Sequence, residues 1–102
     1  MPVRLMVTKG ASAGKTFEIK VPQFVIGRSS SCQLRPQSDA ISRQHCVVLL
    51  TKDGGAAIRD LGSRNGTIVN GKTTKGTQVL QTGDEVRVGP LHLEVTILDA
   101  TG

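Results

Sequence analysis

Tryptophan and tyrosine are absent from the 102 residues, and phenylalanine occurs only twice. Proteins that bind single-stranded nucleic acid stack the bases on aromatic side chains, so the stacking surface of such a protein is missing. The sequence also lacks a helical segment of about ten residues that could enter a major groove. We therefore expect no nucleic-acid partner.

Cysteine is scarce as well. Cys32 and Cys46 are too few for a disulfide framework, and two thiols hold a structural zinc ion only with two further ligands. We expect both cysteines to be reduced and buried or half-buried. We expect the protein to use neither a metal ion nor a cofactor.

Long apolar runs are missing too. No segment approaches the roughly 18 apolar residues of a membrane span. The first residues, Met1 to Leu5, lack the apolar stretch of a secretory signal. The sequence thus predicts a cytoplasmic protein without a membrane partner.

The composition is typical of β-structure. Leu, Ile, Val and Phe make up 28 of the 102 residues, which is above the level of disordered chains, and the length suits one small domain rather than a large multidomain enzyme. Twelve Gly, ten Thr and seventeen Val or Ile against six Ala favour strands and turns. The physical reason is that β-branched side chains suit a pleated surface and Gly suits positive φ. The predicted fold class is all-β.

Short apolar-rich runs recur every eight to twelve residues between Gly, Pro, Asn, Asp and Ser, a spacing typical of a sandwich or barrel. In the last run, Leu91, Leu93, Val95 and Ile97 share one face with a period of two. The predicted strands cover residues 4–8, 15–20, 24–27, 45–50, 57–60, 67–69, 78–80, 85–88 and 91–98, with weaker strands near residues 34 and 73. Two packed antiparallel sheets would bring the connecting loops together at the ends of the sandwich, where binding sites usually form.

The net charge of +5 is unevenly distributed along the chain. Residues 1–52 carry eight Lys or Arg against two acidic residues, whereas residues 53–102 carry five against six. This asymmetry indicates a basic face. Such a face favours an anionic partner, whether nucleic acid, acidic peptide or phosphate ester, and does not distinguish among them.

Two patterns that suggest nucleotide binding or catalysis lack the context they need. The segment 10–16 has three residues between its glycines where a P-loop has four, and the residues after it alternate like a strand instead of forming a helix. Ser42, His45 and Asp60 are the residue types of a hydrolase triad, and Cys46 follows His45, but a Gly-x-Ser-x-Gly elbow is absent. We expect no enzymatic activity.

Residues suited to phosphate binding occur on three successive loops. Gly27-Arg28 ends one predicted strand, residues 42–45 lead into the next, and residues 63–67 join two more. Each has an ordinary explanation when taken alone, such as a surface charge or a hairpin tip.

Together, in this order and spacing, they resemble the forkhead-associated (FHA) domain, a family that binds phosphothreonine in protein partners. The resemblance extends from about residue 3 to about residue 98. It is carried by FVIGRS (24–29), ISRQH (41–45), DLGSRNGTIVNG (60–71) and LQTGD (80–84). It implies an antiparallel two-sheet β-sandwich of about eleven strands, similar to FHA and SMAD domains, with the binding loops at one end.

The resemblance also implies a role for each matching residue. Arg28 would be the principal phosphate ligand, since a guanidinium offers fixed charged donors to a phosphate ester. Ser42 would donate its hydroxyl to another phosphate oxygen, and Arg43 would donate through its N–H, its side chain, or both. Asn65 would hydrogen-bond the peptide main chain, and Arg64 would line the same groove.

Three further residues would support this site without contacting the ligand. Gly27 and Gly66 would provide the backbone geometry, and His45 would connect the Ser42 loop to its neighbours. Arg64 stands where the family often has a small or polar residue. We therefore expect it to favour ligands with acidic side chains or further phosphates.

The sequence predicts a single FHA domain over residues 1–102 with a core of about 3–98, compatible with the N-terminal piece of a longer protein. The implied function is phosphothreonine-dependent binding of peptides or proteins in Ser/Thr kinase signalling, with kinases or their substrates as partners. One alternative is an FHA-like scaffold that associates through its sheet faces without phosphate. The other is a nucleic-acid binder, whose salt-sensitive binding would survive the loss of Arg28.

Overall fold

The computed structural model describes residues 3–74 and 76–98, and this part of the chain contains ten strands and no helix. The strands are β1 (Val3–Val7), β2 (Thr16–Ile19), β3 (Gln23–Ile26), β4 (Cys46–Leu50), β5 (Ala56–Asp60), β6 (Thr67–Val69), β7 (Lys72–Thr73), β8 (Thr77–Leu80), β9 (Glu85–Val88) and β10 (Leu91–Ile97). Since the described residues include no helix, they also include none that is long and apolar enough to cross a bilayer.

The strands form two antiparallel sheets. The six-stranded sheet has the order β2-β1-β10-β9-β6-β7, and the four-stranded sheet has the order β3-β4-β5-β8. The predicted fold class is therefore confirmed. The weaker strand expected near residue 73 is β7, while Leu34 forms only an isolated parallel bridge to Ile26. The described chain thus has ten strands and this bridge where about eleven strands were expected.

One core lies between the two sheets because side chains alternate along each strand. In β1, Val3, Leu5 and Val7 are buried, whereas the residues between them are half-buried. The buried side chains of both sheets form a single cluster, which includes Leu5, Val86, Leu93 and Val95 from one sheet and Phe24, Ile26, Val48 and Ile58 from the other. Each such side chain contributes about 1.5–3 kcal/mol by leaving water.

Two of the smaller expectations have clear outcomes. Cys32 and Cys46 are both reduced and buried, as predicted. The segment 10–14 closes a turn before β2, so the residues after the two glycines form a strand and not the helix of a P-loop. His92 on β10 is half-buried, and among the described residues its enclosed Nδ1 has no hydrogen-bond partner.

Antiparallel pairing places five connections at the same end of the sandwich. These are the β1–β2, β3–β4, β5–β6, β7–β8 and β9–β10 connections, and we call this end the loop end. The β9–β10 turn packs directly on the β3–β4 connection, since a Cβ atom on Gly89 would lie 2.9 Å from the side chain of Ile41. The three segments that the sequence singled out all lie at the loop end, two of them on the β3–β4 connection and the third on the β5–β6 connection.

Candidate functional site

The end of β3 lies directly against the segment that precedes β4. A Cβ atom on Gly27 would come within 2.2 Å of the Arg43 carbonyl oxygen, so only glycine allows this approach. The Arg28 N–H donates to the Ser42 carbonyl over 3.1 Å, and the Ser29 N–H donates to the Arg43 carbonyl over 3.0 Å. These bonds hold Arg28 and Ser42 side by side.

The carbonyl groups of residues 39–41 connect three side chains from two different loops. The Arg64 guanidinium donates to the Asp39 carbonyl over 3.0 Å, and the Asn65 amide donates to the Ala40 carbonyl over 2.8 Å. The Arg28 Nε donates to the Ile41 carbonyl. The guanidinium of the β3–β4 connection and two side chains of the β5–β6 connection are therefore brought together around one short segment.

Several polar groups at this convergence remain available to a ligand. The Arg28 side chain is exposed, and among the described residues its terminal nitrogens have no hydrogen-bond partner. The Ser42 hydroxyl accepts the Arg64 N–H over 3.0 Å, which fixes the oxygen and leaves its own proton for donation. The Asn65 side-chain oxygen points to no donor within the described chain.

His45 joins two of the converging loops from beneath. The side chain is fully buried, and its Nδ1 accepts the Ser42 N–H over 3.1 Å. A nitrogen that accepts carries no proton, so the proton is on Nε2, which donates to the Gly66 carbonyl over 2.8 Å. Gly66 itself has a φ of +81°, a conformation that favours glycine.

These contacts leave no catalytic triad among Ser42, His45 and Asp60. Both nitrogens of His45 bond backbone groups, and neither meets the Ser42 hydroxyl or the Asp60 carboxylate. Burial raises the pKa of the Cys46 thiol to about 12, so the thiol stays protonated and is not a nucleophile at neutral pH.

Asp60, at the end of β5, organises the loop that carries Arg64 and Asn65. One carboxylate oxygen accepts the N–H groups of Gly62 and Ser63 over 3.0 Å each, and the other accepts the hydroxyl of Ser63 and that of Thr67, the latter over 2.8 Å. Burial acts to raise the pKa of Asp60, but the hydrogen bonds from Ser63, Thr67 and Gly62 outweigh it and hold the pKa below its usual value.

We expect Asp60→Asn to destabilise the fold by about 2–4 kcal/mol at pH 7, because an amide NH₂ cannot accept bonds that the carboxylate accepts. The folded pKa of Asp60 is lowered, so its contribution is complete above the unfolded pKa of about 3.9 and is lost as pH falls through the folded value. Urea unfolding of both proteins should therefore show a difference at pH 7 that shrinks towards pH 2. A difference that stays constant with pH would show that the carboxylate charge has no part in it.

The remaining predicted site residue, Arg43, lies on the rim of the convergence. Its carbonyl accepts the Ser29 N–H and the Cys32 thiol, which fixes the backbone. Its side chain is exposed. Arg43 thus presents a cation beside Ser42.

Two cavities open on either side of the segment 39–41. The first, which we call the arginine pocket, measures about 390 Å³ and is lined by Arg28, Arg35, Pro36, Gln37, Ser38 and Asp39. The second, which we call the loop groove, measures about 560 Å³ and is lined by residues 60, 62–66, 73, 74 and 76, with Arg64 and Asn65 among them. Together they offer a cationic pocket beside an open groove.

The charge of the loop end is strongly positive. Its described connections carry Lys9, Lys15, Arg28, Arg35, Arg43 and Arg64. Asp39 and the hydrogen-bonded carboxylate of Asp60 carry the opposite charge at this end. The basic face inferred from the charge asymmetry is thus concentrated where the three loops meet. Such a surface attracts an anionic group.

Comparison with known proteins identifies the family to which this architecture belongs. The family model for the FHA domain matches residues 24–89, which include every element of the convergence. The chain belongs to the FHA family. The resemblance seen in the sequence is thereby confirmed.

Three relatives illustrate the relation. The oxoglutarate dehydrogenase inhibitor of Corynebacterium efficiens is 35% identical over 89 residues, which cover 87% of this chain and 61% of that protein. A solved FHA domain, described for its phosphothreonine-dependent interactions, has a TM-score of 0.86 and 28% identity over 97% of this chain and 99% of its own. The FHA domain of FhaA, a Mycobacterium tuberculosis protein, was solved in complex with the intracellular domain of Rv3910. It has a TM-score of 0.81 and 30% identity over 92% of this chain and 99% of its own.

The chain spans about 61% of the length of the oxoglutarate dehydrogenase inhibitors that it matches. The whole-protein activities of those relatives are therefore not transferred to it.

Sequence reasoning missed some groups of this FHA site. Arg35 lines the arginine pocket with Arg28 but stands outside every motif that carried the resemblance. The acceptors of the segment 39–41 are backbone carbonyls, which every residue has, so no sequence signal marks them. Asp60 was considered as a triad member and as the first residue of the motif 60–71, without a role in the loop, although its position three residues before Ser63 is a spacing that allows side-chain capping of the following turn.

Proposed function

We propose that this FHA domain is a non-catalytic module that binds phosphothreonine-containing peptides of protein partners. The observation that carries the proposal is the convergence of Arg28, Ser42 and Asn65 around the segment 39–41. Family membership supports the ligand class, as does the solved FHA domain described for phosphothreonine-dependent interactions.

The phosphate would sit beside Arg28, where the arginine pocket adjoins Ser42. The terminal nitrogens of Arg28 and the Ser42 hydroxyl would donate to its oxygens, and Arg43 would add its N–H or its side chain. Each charge-assisted bond contributes about 1.5–3 kcal/mol, so two or three supply much of the roughly 8 kcal/mol that corresponds to micromolar affinity. Removal of the phosphate should therefore remove useful binding.

The peptide main chain would cross the segment 39–41 beside the phosphate. The Asn65 amide is held by its bond to the Ala40 carbonyl, which leaves its oxygen to accept a peptide N–H. Arg64 lines the loop groove and is fixed at its guanidinium by the Asp39 carbonyl. A cation held there supports the preference for acidic side chains or further phosphates in the ligand.

The biological setting that we propose is Ser/Thr kinase signalling in the cytoplasm, with kinases or their substrates as partners. A relative named as an inhibitor of oxoglutarate dehydrogenase supports a regulatory role that acts through protein binding. We further propose that residues 1–102 form one FHA domain with a core over about residues 3–98, and that it belongs to a longer protein.

A titration of two peptide libraries tests this function. One library carries a fixed phosphothreonine between degenerate positions, and its twin carries threonine. We expect binding to the phosphorylated library only, measured by fluorescence anisotropy. Equal binding of the twin would instead support phosphate-independent association, and salt-sensitive binding to a random oligonucleotide would support the nucleic-acid alternative.

A further inference from the structure

A third cavity of the loop end differs from the other two in its chemistry. It is a cleft of about 330 Å³ between the β1–β2 connection and the start of β10. Its walls are mainly the apolar side chains of Val7, Phe17, Leu34 and Leu91. Phe17 and Leu91 are only half-buried and pack against the core from this side. We call this cavity the apolar cleft.

The apolar cleft adjoins the arginine pocket. It shares Arg35, Pro36 and Gln37 with the arginine pocket, so these three residues form a single wall between the two cavities. An extended peptide that leaves the arginine pocket across this wall enters the cleft within a few residues, since each extended residue spans about 3.3 Å.

The order of strands places the apolar cleft opposite the loop groove. The groove lies beside β6 and β7 at one edge of the six-stranded sheet, and the cleft lies beside β1 and β2 at the other edge. The arginine pocket, built on the β3–β4 connection, is the cavity that adjoins the cleft. A peptide crossing the loop end therefore has a polar groove on one side of the phosphate and an apolar cleft on the other.

The rim of the apolar cleft is cationic. The Lys15 ammonium lies 5.4 Å from the centre of the Phe17 ring, a distance at which a cation interacts with an aromatic face. Arg35 is exposed on the opposite wall. Among the described residues that line the cleft, none is acidic. Charge complementarity therefore favours an occupant that combines an apolar side chain with a neighbouring carboxylate.

We propose that the apolar cleft is a second specificity site of this FHA domain. It takes an apolar side chain of the same phosphopeptide, a few residues from the phosphothreonine, next to an acidic residue that pairs with Lys15 or Arg35. This inference rests on the proposed function and adds to it a requirement on the ligand sequence. It predicts that the phosphate alone does not define the ligand.

The phosphothreonine library provides the first measurement. We expect one flanking position to select Leu, Ile, Phe or Met, with Asp or Glu enriched beside it. A peptide with Leu at that position should bind about tenfold more tightly than the same peptide with Ala, which corresponds to about 1.4 kcal/mol.

Filling the apolar cleft should remove the difference in affinity between the Leu and Ala peptides. Ser12 is exposed on the cleft rim, and its carbonyl accepts the Lys15 N–H, so the turn is held by the backbone and a new side chain does not disturb it. We expect Ser12→Trp to reduce the difference between the Leu and Ala peptides from about tenfold to less than about twofold. Gln81→Trp, on an exposed turn at the other end of the sandwich, should leave the difference at about tenfold.

A charge reversal at Lys15 tests whether the acidic residue of the ligand pairs with this lysine. Lys15→Glu should weaken the peptide that carries the flanking acidic residue by about fivefold or more. Lys52→Glu makes the same change of charge in the β4–β5 turn at the other end of the sandwich and should leave that affinity within about twofold. Equal effects of the two variants would overturn the assigned contact, because they would reflect net charge alone.

An experiment on the unmodified domain does not depend on how the variants fold. We expect the methyl NMR signals of Leu34 and Leu91 to shift with the Leu peptide and not with the Ala peptide. Phosphorylation-dependent binding without apolar selection, or without these shifts, would overturn the inference and leave the proposed function standing. Absence of any phosphorylation-dependent binding would overturn both.

Discussion

Arg28→Ala is expected to abolish the binding of phosphothreonine peptides, with a loss of affinity of more than about 100-fold. The variant removes the charged donors that face the arginine pocket, and two charge-assisted bonds of about 1.5–3 kcal/mol each correspond to at least this factor. The side chain is exposed, and its one described bond goes to the Ile41 carbonyl. The melting temperature should therefore change little.

Two matched variants distinguish the effect of the donor geometry of Arg28 from the effect of its charge. Arg28→Lys keeps the charge but loses the planar pair of donors, so we expect it to recover only part of the affinity. Arg59→Ala removes the same charge from the exposed side of β5 and should reduce affinity by less than about threefold. Anisotropy titrations of one phosphopeptide against the four proteins make the comparison. If Arg28→Ala and Arg59→Ala had equal effects, the proposed phosphate site would be wrong.

His45→Ala is expected to produce the largest loss of stability, about 3–5 kcal/mol. It leaves the partly buried Ser42 N–H and Gly66 carbonyl without their partner and creates a cavity in the place of a fully buried ring. For a domain of this size, such a change lowers the melting temperature by at least roughly 10 °C. Phosphopeptide affinity should also fall, because Ser42 loses the contact that positions its loop.

The second histidine provides the control. His92 lies on β10 and is half-buried, and its enclosed Nδ1 has no hydrogen-bond partner within the described chain, so His92→Ala leaves no such group unsatisfied. We expect it to cost less than about 1.5 kcal/mol and to leave affinity unchanged. Differential scanning calorimetry measures the stability of both variants, and fluorescence anisotropy measures their affinity for the phosphopeptide. An unchanged melting temperature in His45→Ala would refute the structural role assigned to that residue.

The strands could be predicted closely because their signal is local. The predicted segments 67–69 and 85–88 agree with β6 and β9 at both ends. The segment 45–50 begins one residue too early, since the backbone of His45 belongs to the connection that its side chain stabilises. The segment 15–20 extends one residue too far at each end, because the Lys15 N–H closes a turn on the Ser12 carbonyl.

The site could be predicted only in part. The types of Arg28, Ser42 and Asn65 suggested an anionic ligand, and their spacing indicated the family. The sequence contained no signal for the three carbonyl acceptors of the segment 39–41 or for the place of Arg35. Contacts of this kind depend on which loops the two sheets bring together.

The sequence by itself determined the all-β class, the strand pattern and the residues that can meet a phosphate, because alternation, turn residues and side-chain chemistry are local properties. Tertiary structure alone decided that Arg28, Arg64 and Asn65 share one backbone segment, and that a cationic pocket adjoins an apolar cleft. The reason is that these groups come from connections far apart in the chain. Only the pairing and packing of the two sheets brings them to one end.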